Sequence, residues 1–472
     1  MRPILSVAEM RRVDAETNID VDLLMDAAGF AVALAAVDLG AGYGTTIDVL
    51  CGKGNNGGDG YVAAAYLSQR GAAVRAHSIG DPSPGTPAHR AMRRAEREGV
   101  QMAPLDDPRP TDVLIDAVVG TGFQGQLAPE VAEWVGFGTA VVAVDIPSGL
   151  NGDTGLVSGT AFDADITVAF HALKPGHVLG DGPDLCGEVR VADIGLTGGT
   201  TDMLLMEDAD VFIPSRRRTA HKWSSGAVAT IGGMPGLTGA ALLAAQAALS
   251  AGAGVSSLVA QPSTVDVYTA AVPDIPTMVV EGIETKADAT ALVKRLARFD
   301  TVIMGPGLEP ASRPFVEGIV DEFDGVLVLD AGALNALSSP AVLADRSATT
   351  ILTPHAGEFA RLTGEEPGVE SARRLAEVTG GIIVVKGNPT LVVADRVIVI
   401  NSGGPELATI GSGDVLAGII GAFVSTTLDP VTAVASAVHV HGVIGSITAD
   451  LGTVTASELL TAIGPTVVAF SF

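Results

Sequence analysis

The feature that constrains the fold most is a recurring pattern in which an apolar strand runs directly into a glycine-rich turn. In the first half, residues 46–51 precede a turn at 52–60, and residues 140–145 precede a turn at 146–152. In the second half, residues 325–330 lead into a turn of the same kind. The carboxyl ends of parallel strands share one edge of a sheet, and ligands bind in the crevice there. The pattern therefore predicts two α/β layer domains, each with a ligand-binding edge.

A boundary between these two domains is predicted near Phe212. The strand pattern pauses in a Gly/Thr-rich segment at residues 195–202 and then restarts, which is typical of a domain junction. This places one domain over residues 1–212 and a second over residues 213–472. Because 47% of the 472 residues are hydrophobic, each half has enough apolar side chains to form a core.

The charge and cysteine content exclude some classes of partner. A formal net charge of -26 argues against nucleic-acid and anionic-membrane surfaces, which are themselves negative. Two cysteines, Cys51 and Cys186, are too few for a disulfide framework and favour a reducing compartment. The N-terminus lacks the apolar segment of a signal peptide, and we find no uninterrupted apolar span long enough to cross a bilayer. We therefore expect a cytoplasmic protein with no nucleic-acid partner and no membrane partner.

The turn at residues 52–60 carries unusual side chains for its position. It follows a predicted strand and precedes a helix predicted to start at Tyr61, which is the layout of a nucleotide-binding turn. Asn55 and Asn56 offer carbonyl oxygens that can ligate a monovalent cation or read a polar ring. The alternative is that Asn-Gly and Asp-Gly pairs stand here because they tolerate positive φ. The density of glycine and asparagine favours a binding function.

Polar side chains also end the next two strands of the first half. Asp116 ends one apolar strand, and Asp145 and Ser148 follow another. Together with Asn56, these side chains are expected to converge at the shared edge of the sheet. A single Asp at a strand end is more often a turn-former, but the repetition favours a functional role.

The stretch at residues 407–418 is the strongest catalytic candidate in the second half. Gly411 and Gly413 let the backbone come close to a ligand, and the first amides of the following helix attract anions. Asp414 would repel a phosphate at this helix start, so a role as a base or a metal-linked role fits better. The alternative, an ordinary helix-start acid, is equally consistent with this stretch alone.

Further candidates stand in and after the strands of the second half. Lys386 follows four apolar residues and can meet a phosphate as a point charge, with the Thr390 hydroxyl nearby. The alternative is a solvated strand-end lysine. The sequence supports two interpretations of His355 equally, a ligand contact and a structural histidine. His439 and His441 do not share a helix face, so neither is predicted to be a metal ligand.

Both halves resemble known families. The first half is similar to the NAD(P)H-hydrate epimerase family, which has a Rossmann-like fold, through the sequences at 52–60, 116–122 and 144–149. The second half resembles the ADP/ATP-dependent NAD(P)H-hydrate dehydratases of the ribokinase-like superfamily, through the sequences at 305–308, 329–332, 352–358, 386–390 and 411–414. In this order the halves resemble the bifunctional NAD(P)H-hydrate repair enzymes. The resemblance implies two three-layer α/β domains.

The resemblance also implies roles for residues of the first half. A potassium ion would be held by Asn56, Asp116 and Ser148, and Asp145 is a candidate proton carrier for inversion at C6 of the hydrated nicotinamide. The hydrated nucleotide would contact a larger set, made up of Asn55, Asn56, Gly57, Gly58, Asp59, Gly120, Thr121, Gly122, Phe123, Gln124, Gly125, Gln126 and Asp145.

For the second half the resemblance implies an adenine-nucleotide site and a hydrate site. The nucleotide, ADP or ATP with Mg²⁺, would contact Lys386, Gly387, Asn388, Pro389, Thr390 and Gly413. The hydrate, NADHX or NADPHX, would contact Ala241, Gly307, His355 and Asp414. Asp414 would take the C6 hydroxyl proton during phosphorylation, and elimination of phosphate would restore the dihydronicotinamide. Self-association is a further expectation by analogy with the family.

Two residues depart from the family pattern, and three alternative functions stay open. Ile410 stands where the family usually has glycine, and Trp223 stands where a smaller residue often follows His-Lys. The second half could instead be a kinase for a small vitamin alcohol. The first half could be a non-catalytic nucleotide-binding module, or the whole chain an α/β protein with no activity. The sequence does not decide between ADP and ATP, or between NADHX and NADPHX.

Overall fold

The chain forms two compact units. The computed structural model describes residues 1–105, 108–214, 218–427 and 429–471. The first unit is Arg2–Met203, and the second holds Met1 and the residues from Leu204 onward. The predicted boundary near Phe212 therefore falls inside the second unit. The reason is that Met206 N donates to Val399 O at 3.0 Å and Phe212 N donates to Ser436 Oγ at 2.9 Å, which ties this segment to the second unit.

The first unit alternates strands and helices. Its strands are β1 (Arg2–Pro3), β2 (Thr46–Gly52), β3 (Ala73–Ile79), β4 (Gln101–Ala103), β5 (Thr111–Ala117), β6 (Gly138–Val144), β7 (Ile166–Phe170) and β8 (Glu188–Ala192), and β9 (Met203–Leu205) spans the junction. Its helices are α1 (Val7–Glu16), α2 (Val21–Asp38), α3 (Asn55–Gln69), α4 (Pro87–Arg97), α5 (Pro129–Ala132), α6 (Pro175–Val178) and α7 (Gly182–Leu185).

A seven-stranded sheet in the order β4-β3-β2-β5-β6-β7-β8 organises this unit. All of its neighbouring strands are parallel. Side chains alternate between the two faces, as expected for strands. Val49 and Ile115 pack into the core that contains residues of α2, α3 and α4, whereas Leu50 and Leu114 pack with Trp134 in a separate core. Because all seven strands are parallel, their carboxyl ends lie at the same edge of the sheet.

Helix α3 begins at Asn55, six residues before the predicted start at Tyr61. The predicted loop is thus mostly the first turns of a helix. Its glycines are needed for close packing, because a Cβ on Gly57 would lie 1.8 Å from Gly52 O and a Cβ on Gly60 would lie 2.5 Å from Ala117 Cβ. Low helix propensity was outweighed by contact between the helix start and strands β2 and β5.

The second unit contains more helices. Its strands are β10 (Ala227–Ile231), β11 (Val255–Ala260), β12 (Thr277–Val279), β13 (Thr301–Met304), β14 (Val326–Leu329), β15 (Thr350–Leu352), β16 (Ile382–Val385), β17 (Thr390–Val393) and β18 (Val397–Ile400). Its helices are α8 (Thr238–Ser250), α9 (Val265–Ala271), α10 (Lys286–Leu296), α11 (Arg313–Glu322), α12 (Ala331–Ala336), α13 (Ala356–Thr363), α14 (Val369–Thr379), α15 (Ser412–Val424), α16 (Pro430–Leu451) and α17 (Ala456–Ala469). Short 3-10 turns are Asp208–Asp210, Lys222–Ser224, Pro340–Leu343 and Pro405–Leu407.

The sheet of this unit runs in the order β18-β17-β16-β15-β14-β13-β10-β11-β12. Its strands are parallel except for β17, which is antiparallel to both neighbours. Helices α8, α15, α16 and α17 pack together, and a core that includes Val228, Ile303 and Val328 joins them to the sheet. Both units are α/β domains, so the predicted fold class is confirmed.

Helix α16 is, among the described residues, the one helix that by length and composition could span a membrane. Its 22 residues include a stretch with mean hydropathy 1.4. The expectation that the chain has no membrane span stays a prediction. The helix is nevertheless 72% buried over that stretch, as is usual for a helix that is apolar on most sides and lies in a protein core.

Candidate functional site

The predicted polar residues of the first unit lie at the carboxyl edge of its sheet. Helix α3 starts after β2, Asp116 lies at the end of β5, and Asp145 directly follows β6. A Cβ on Gly120 would lie 3.4 Å from both Asn56 Oδ1 and Asp145 Oδ2, so these two side chains face the same short loop. Asn56 Nδ2 is buried with no hydrogen-bond partner among the described residues, which leaves a donor for a ligand.

Asp116 and Ser148 form a buried polar pair. Ser148 Oγ and Ser148 N each donate to the Asp116 carboxylate at 2.6 Å. Ser148 Oγ in turn accepts from Val119 N at 3.1 Å. Burial raises the pKa of Asp116 to about 6, although the hydrogen bonds from Ser148 oppose that change. The pair supplies oxygen atoms of the kind that a hard cation binds.

Asp145 is held in an unusual conformation. Its φ is +66°, a left-handed value that non-glycine residues seldom adopt. Its Oδ1 accepts from Lys174 Nζ at 2.7 Å and its Oδ2 accepts from Thr121 N at 3.4 Å. Burial opposes ionisation, but the Lys174 ammonium outweighs it and lowers the pKa of Asp145. The carboxylate is therefore anionic at neutral pH.

Asp59 is buried and differs from the partly buried Asp145. Burial, followed by repulsion from Asp145 and Asp14, raises the pKa of Asp59 well above its ordinary value. The same edge thus holds one carboxyl group with a raised pKa and one with a lowered pKa. Such a separation is typical of acid and base sites.

Residues 120–126 form the predicted binding loop between β5 and α5. Residues 119–126 are partly or fully exposed, so the loop is open to a ligand. A Cβ on Gly122 would lie 2.8 Å from Arg11 Nη2, which brings the exposed Arg11 of helix α1 against this loop. The sequence did not indicate Arg11, because it lies on a helix more than one hundred residues away from the loop.

The second unit contains a cavity of about 600 Å³ at the start of helix α15. Its walls bring together residues from five separated parts of the chain. Among the predicted residues, His355, Lys386, Gly387, Asn388, Thr390, Gly413 and Asp414 line it. Asp330, Glu358 and His441 also line it and were not predicted.

Asp414 lies in the first turn of α15, after Gly411 with φ +88°. Burial and then repulsion by Asp330 raise the pKa of Asp414 to about 7, while Lys386 opposes the change. A carboxylate with a pKa near neutrality can both accept and release a proton. The electrostatics therefore favour a base over an ordinary helix-start acid.

Lys386 does not stand alone at the end of β16. Its Nζ donates to Asp330 Oδ1 at 2.8 Å and lies 3.9 Å from Glu358 Oε2. A Cβ on Gly413 would lie 3.4 Å from Lys386 Nζ, so the ammonium also borders the mouth of α15. Asp330 follows β14 and accepts from Thr353 Oγ1 at 2.8 Å. The strand-end position of Asp330 was a usable signal in the sequence.

His355 has a structural contact as well as exposure. Its Nδ1 accepts from Gly357 N at 3.0 Å and so caps helix α13. The side chain is 60% exposed, and its Nε2 lies 3.5 Å from Glu358 Oε1. The two interpretations of His355 are therefore compatible, because the residue caps the helix through Nδ1 and also lines the cavity.

Other predicted residues of the second unit lie elsewhere. Ala241 is fully buried in α8, and neither Ala241 nor Gly307 is among the residues that line the cavity. The Thr390 hydroxyl donates to Gly387 O at 2.8 Å. Ile410 is 95% exposed beside the cavity mouth and buries no side-chain surface.

The neighbours of Trp223 and His441 show where each side chain packs. Trp223 packs against Phe299, with Arg298 4.1 Å above its ring, and does not line the cavity. His441 Nε2 lies 3.3 Å from Ser412 Oγ, and burial lowers the pKa of His441 to about 4. Within the described parts of the chain, no group of three His, Cys, Asp or Glu residues is arranged to hold a metal ion.

Comparison with known proteins assigns a family model to each half. Residues 21–176 match the model described as the YjeF-related protein N-terminus, and residues 228–465 match NAD(P)H-hydrate dehydratase. The chain is 36% identical to the bifunctional NAD(P)H-hydrate repair enzyme Nnr of Salinibacter ruber, over 93% of this chain and 91% of the relative. It is 34% identical to the enzyme of that name from Escherichia coli, over 84% of this chain and 79% of the relative.

A solved structure supports the fold of the second half. A ribokinase-like superfamily protein from Enterococcus faecalis V583 superposes with a TM-score of 0.50 and 22% identity. It covers 58% of this chain and 98% of the relative. At that identity the similarity concerns the fold alone.

Proposed function

The chain belongs to the family of bifunctional NAD(P)H-hydrate repair enzymes, and on this premise we propose how its residues divide the work. The protein epimerises hydrated NAD(P)H and dehydrates it to NAD(P)H. The first unit carries the epimerase model and the second unit the dehydratase model. We set aside the alternatives of a vitamin-alcohol kinase, a non-catalytic module and an inactive protein, because the chain matches a bifunctional repair enzyme over most of the length of both proteins.

In the second unit, Asp414 is the base that takes the C6 hydroxyl proton. The observation that carries this proposal is a carboxylate at the mouth of α15, inside the cavity, with a pKa raised to about 7. The hydroxyl oxygen then attacks the terminal phosphoryl group of ADP or ATP, whose bond to the departing AMP or ADP breaks, and the helix-start amides stabilise the negative charge. Departure of phosphate from C6 with loss of the C5 proton restores the double bond. Mg²⁺ accompanies the nucleotide when bound and neutralises phosphate charge.

The remaining residues of this site have binding roles. Lys386, Gly387, Asn388, Pro389, Thr390 and Gly413 hold the adenine nucleotide, and Ala241, Gly307 and His355 with Asp414 hold the hydrate. The ion pair of Lys386 with Asp330 supports a shared role, because it keeps the ammonium beside Gly413. For Ala241 and Gly307 the support is the family resemblance.

In the first unit, Asp145 carries the proton that is exchanged during inversion at C6. Its support is an anionic carboxylate beside Gly120 and Asn56 at the open edge of the sheet. Asn55 to Asp59 and Gly120 to Gln126 hold the hydrated nucleotide. Asn56, Asp116 and Ser148 hold K⁺, and their oxygen donors suit a hard monovalent cation. The ion when bound supplies charge that organises the site.

The proposal also covers the surroundings of the reaction. Both NADHX and NADPHX are substrates, the protein is cytoplasmic without nucleic-acid or membrane partners, and it self-associates. The two free, buried cysteines support a reducing compartment.

The test is recovery of reduced-nicotinamide absorbance from a mixture of NADHX epimers, with ADP or ATP supplied separately together with Mg²⁺ and K⁺. The wild-type protein is expected to recover all of the NADHX faster than spontaneous epimerisation allows. Asp414→Asn is expected to abolish recovery while epimer exchange, followed by chromatography, continues. Full dehydration by Asp414→Asn would refute the role of Asp414.

A further inference from the structure

Lys174 is a charged side chain in a place where charge is seldom found. It is 1% exposed, and lysines are almost never fully buried unless they are paired. Its Nζ donates to Asp145 Oδ1 at 2.7 Å and to Phe170 O at 2.9 Å. It lies just after the end of β7, the strand next to the one that carries Asp145. The burial of this ammonium is therefore compensated chiefly by one carboxylate.

The segment of Lys174 also holds the backbone of Asp145. His177 Nε2 lies 2.7 Å from Asp145 O, and His177 Nδ1 accepts from Lys174 N at 3.0 Å. Because Nδ1 is an acceptor, Nε2 carries the hydrogen and donates it to the Asp145 carbonyl. Burial and the nearby Lys174 lower the pKa of His177 to about 4, so this ring is neutral. Two residues of one short segment thus fix both the backbone and the side chain of Asp145.

Lys174 and His177 together form a clamp on Asp145, whose backbone is strained. A φ of +66° costs a non-glycine residue free energy and persists only where neighbouring contacts enforce it. Such strain is common at functional sites. Here the enforcing contacts come from Lys174 and His177, neither of which lies in the glycine-rich motifs.

The clamp makes the two carboxylate oxygens unequal. Oδ1 is occupied by the Lys174 ammonium, whereas among the residues that the structure describes Oδ2 accepts only the long bond from Thr121 N at 3.4 Å. Oδ2 is also the atom that faces Gly120 and shares that loop with Asn56 Oδ1. Oδ2 is therefore the oxygen that is free to exchange a proton with a ligand at this edge.

We propose that Lys174 is a positioning residue of the epimerase, which orients Asp145 so that Oδ2 exchanges the C6 hydroxyl proton. In that exchange the hydroxyl O–H bond breaks, its electron pair stays on the substrate oxygen, and the proton joins Oδ2. This inference rests on the proposed role of Asp145. The charged or titratable groups that act on Asp145 are Lys174, His177, Asp59 and Asp14.

Three substitutions in the full-length protein test the role of Lys174. Lys174→Met is expected to lower the epimerase kcat at least about 100-fold, within the range for loss of acid-base catalysis, with KM changed less than about threefold. Its activity should also require higher pH, because burial without the ammonium raises the pKa of Asp145. Lys174→Arg keeps the charge and should retain the wild-type pH profile at reduced kcat. Asp145→Asn should be inactive.

Arg75→Met is the matched control. Arg75 forms an ion pair with the buried Asp48 at 2.5 Å in the same sheet, and neither residue is among the groups that act on Asp145. Arg75→Met should lower the thermal midpoint and leave the epimerase pH profile unchanged. If Lys174→Met does not fold, the test rests on Lys174→Arg, for which a reduced kcat with an unchanged KM supports the inference.

The outcomes separate the inference from the proposal on which it rests. An active Asp145→Asn would refute the proton-carrying role of Asp145, and the inference would fall with it. An inactive Asp145→Asn together with wild-type kcat and pH profile in both Lys174 variants would overturn the inference alone. A raised KM with unchanged kcat in Lys174→Met would also overturn it, because that result indicates substrate binding.

Discussion

Replacement of Asp330 by Asn should shift the pH dependence of dehydration to lower pH. In the proposed role, Asp414 is a base in its ionised form, so the rate should fall as the pH drops through its pKa of about 7. Asp330 raises that pKa by repulsion, and it also holds Lys386 Nζ at 2.8 Å. Removing the charge ends the repulsion and frees the ammonium to favour ionised Asp414. Both effects have the same sign.

The magnitude follows from the causes of the raised pKa. The pKa of Asp414 rises from 3.8 to about 7, and burial is the larger cause, with Asp330 second. Removal of Asp330 should therefore reverse only part of the rise, on the order of one pH unit, which corresponds to about 1.4 kcal/mol. The midpoint of Asp330→Asn should lie below that of the wild type, and at a pH below neutrality the variant should retain a larger fraction of its maximal rate than the wild type does.

The assay is single-turnover dehydration of the reactive epimer, with nucleotide and Mg²⁺ saturating, across pH values on both sides of neutrality. Thr353→Val is the matched control, because it removes the hydroxyl that donates to Asp330 at 2.8 Å without changing any charge. Its midpoint should move far less than that of Asp330→Asn. An unchanged or raised midpoint in Asp330→Asn would refute the assignment of Asp330 as a cause of the raised pKa.

Two further predictions concern the first unit. Gly57→Ala should lower the free energy of unfolding by about 1–3 kcal/mol and reduce epimerase activity, because the new Cβ would lie 1.8 Å from Gly52 O. Thermal unfolding and epimer exchange measure the two effects. Unchanged stability and activity would show that the start of α3 can move. The folded-state pKa of His177 is lowered from 6.5 to about 4, so the unfolded state takes up its proton first and stability should fall as the pH drops from about 6.5 towards 4, by about 3 kcal/mol. His177→Gln should flatten this part of the stability profile in equilibrium unfolding, and an identical profile would contradict the burial of a neutral ring.

Most of the fold could be predicted because strand-turn periodicity is a local signal. The strands ending at Asp116, Asp145 and Asp330 were visible as apolar runs followed by glycine turns. The start of α3 could not be predicted, because Asn55 to Gly60 has poor helix propensity and only packing against β2 and β5 makes it helical. The unit junction was displaced for a similar reason, since Met206 joins the second unit through a bond to Val399.

The residues of the candidate site also differ in whether the sequence could identify them. Residue types that carry chemistry within a short motif, such as Asn56, Asp414 and Lys386, could be named from the sequence, and their individual roles stay proposals. The partners that set their charge could not be named, because Asp330 and Lys386 follow β14 and β16, two strands of one sheet with β15 between them, and are 56 residues apart in the chain.

What the amino-acid order determined by itself was the family, the α/β class and the candidate reactive residues, because each of these depends on contiguous motifs. What only the tertiary structure decided was the electrostatic state of those residues. The pKa of Asp145 is lowered by Lys174 and that of Asp414 is raised by burial and Asp330. Burial and charge contact depend on distances in space, and folding creates those distances between residues far apart in the chain.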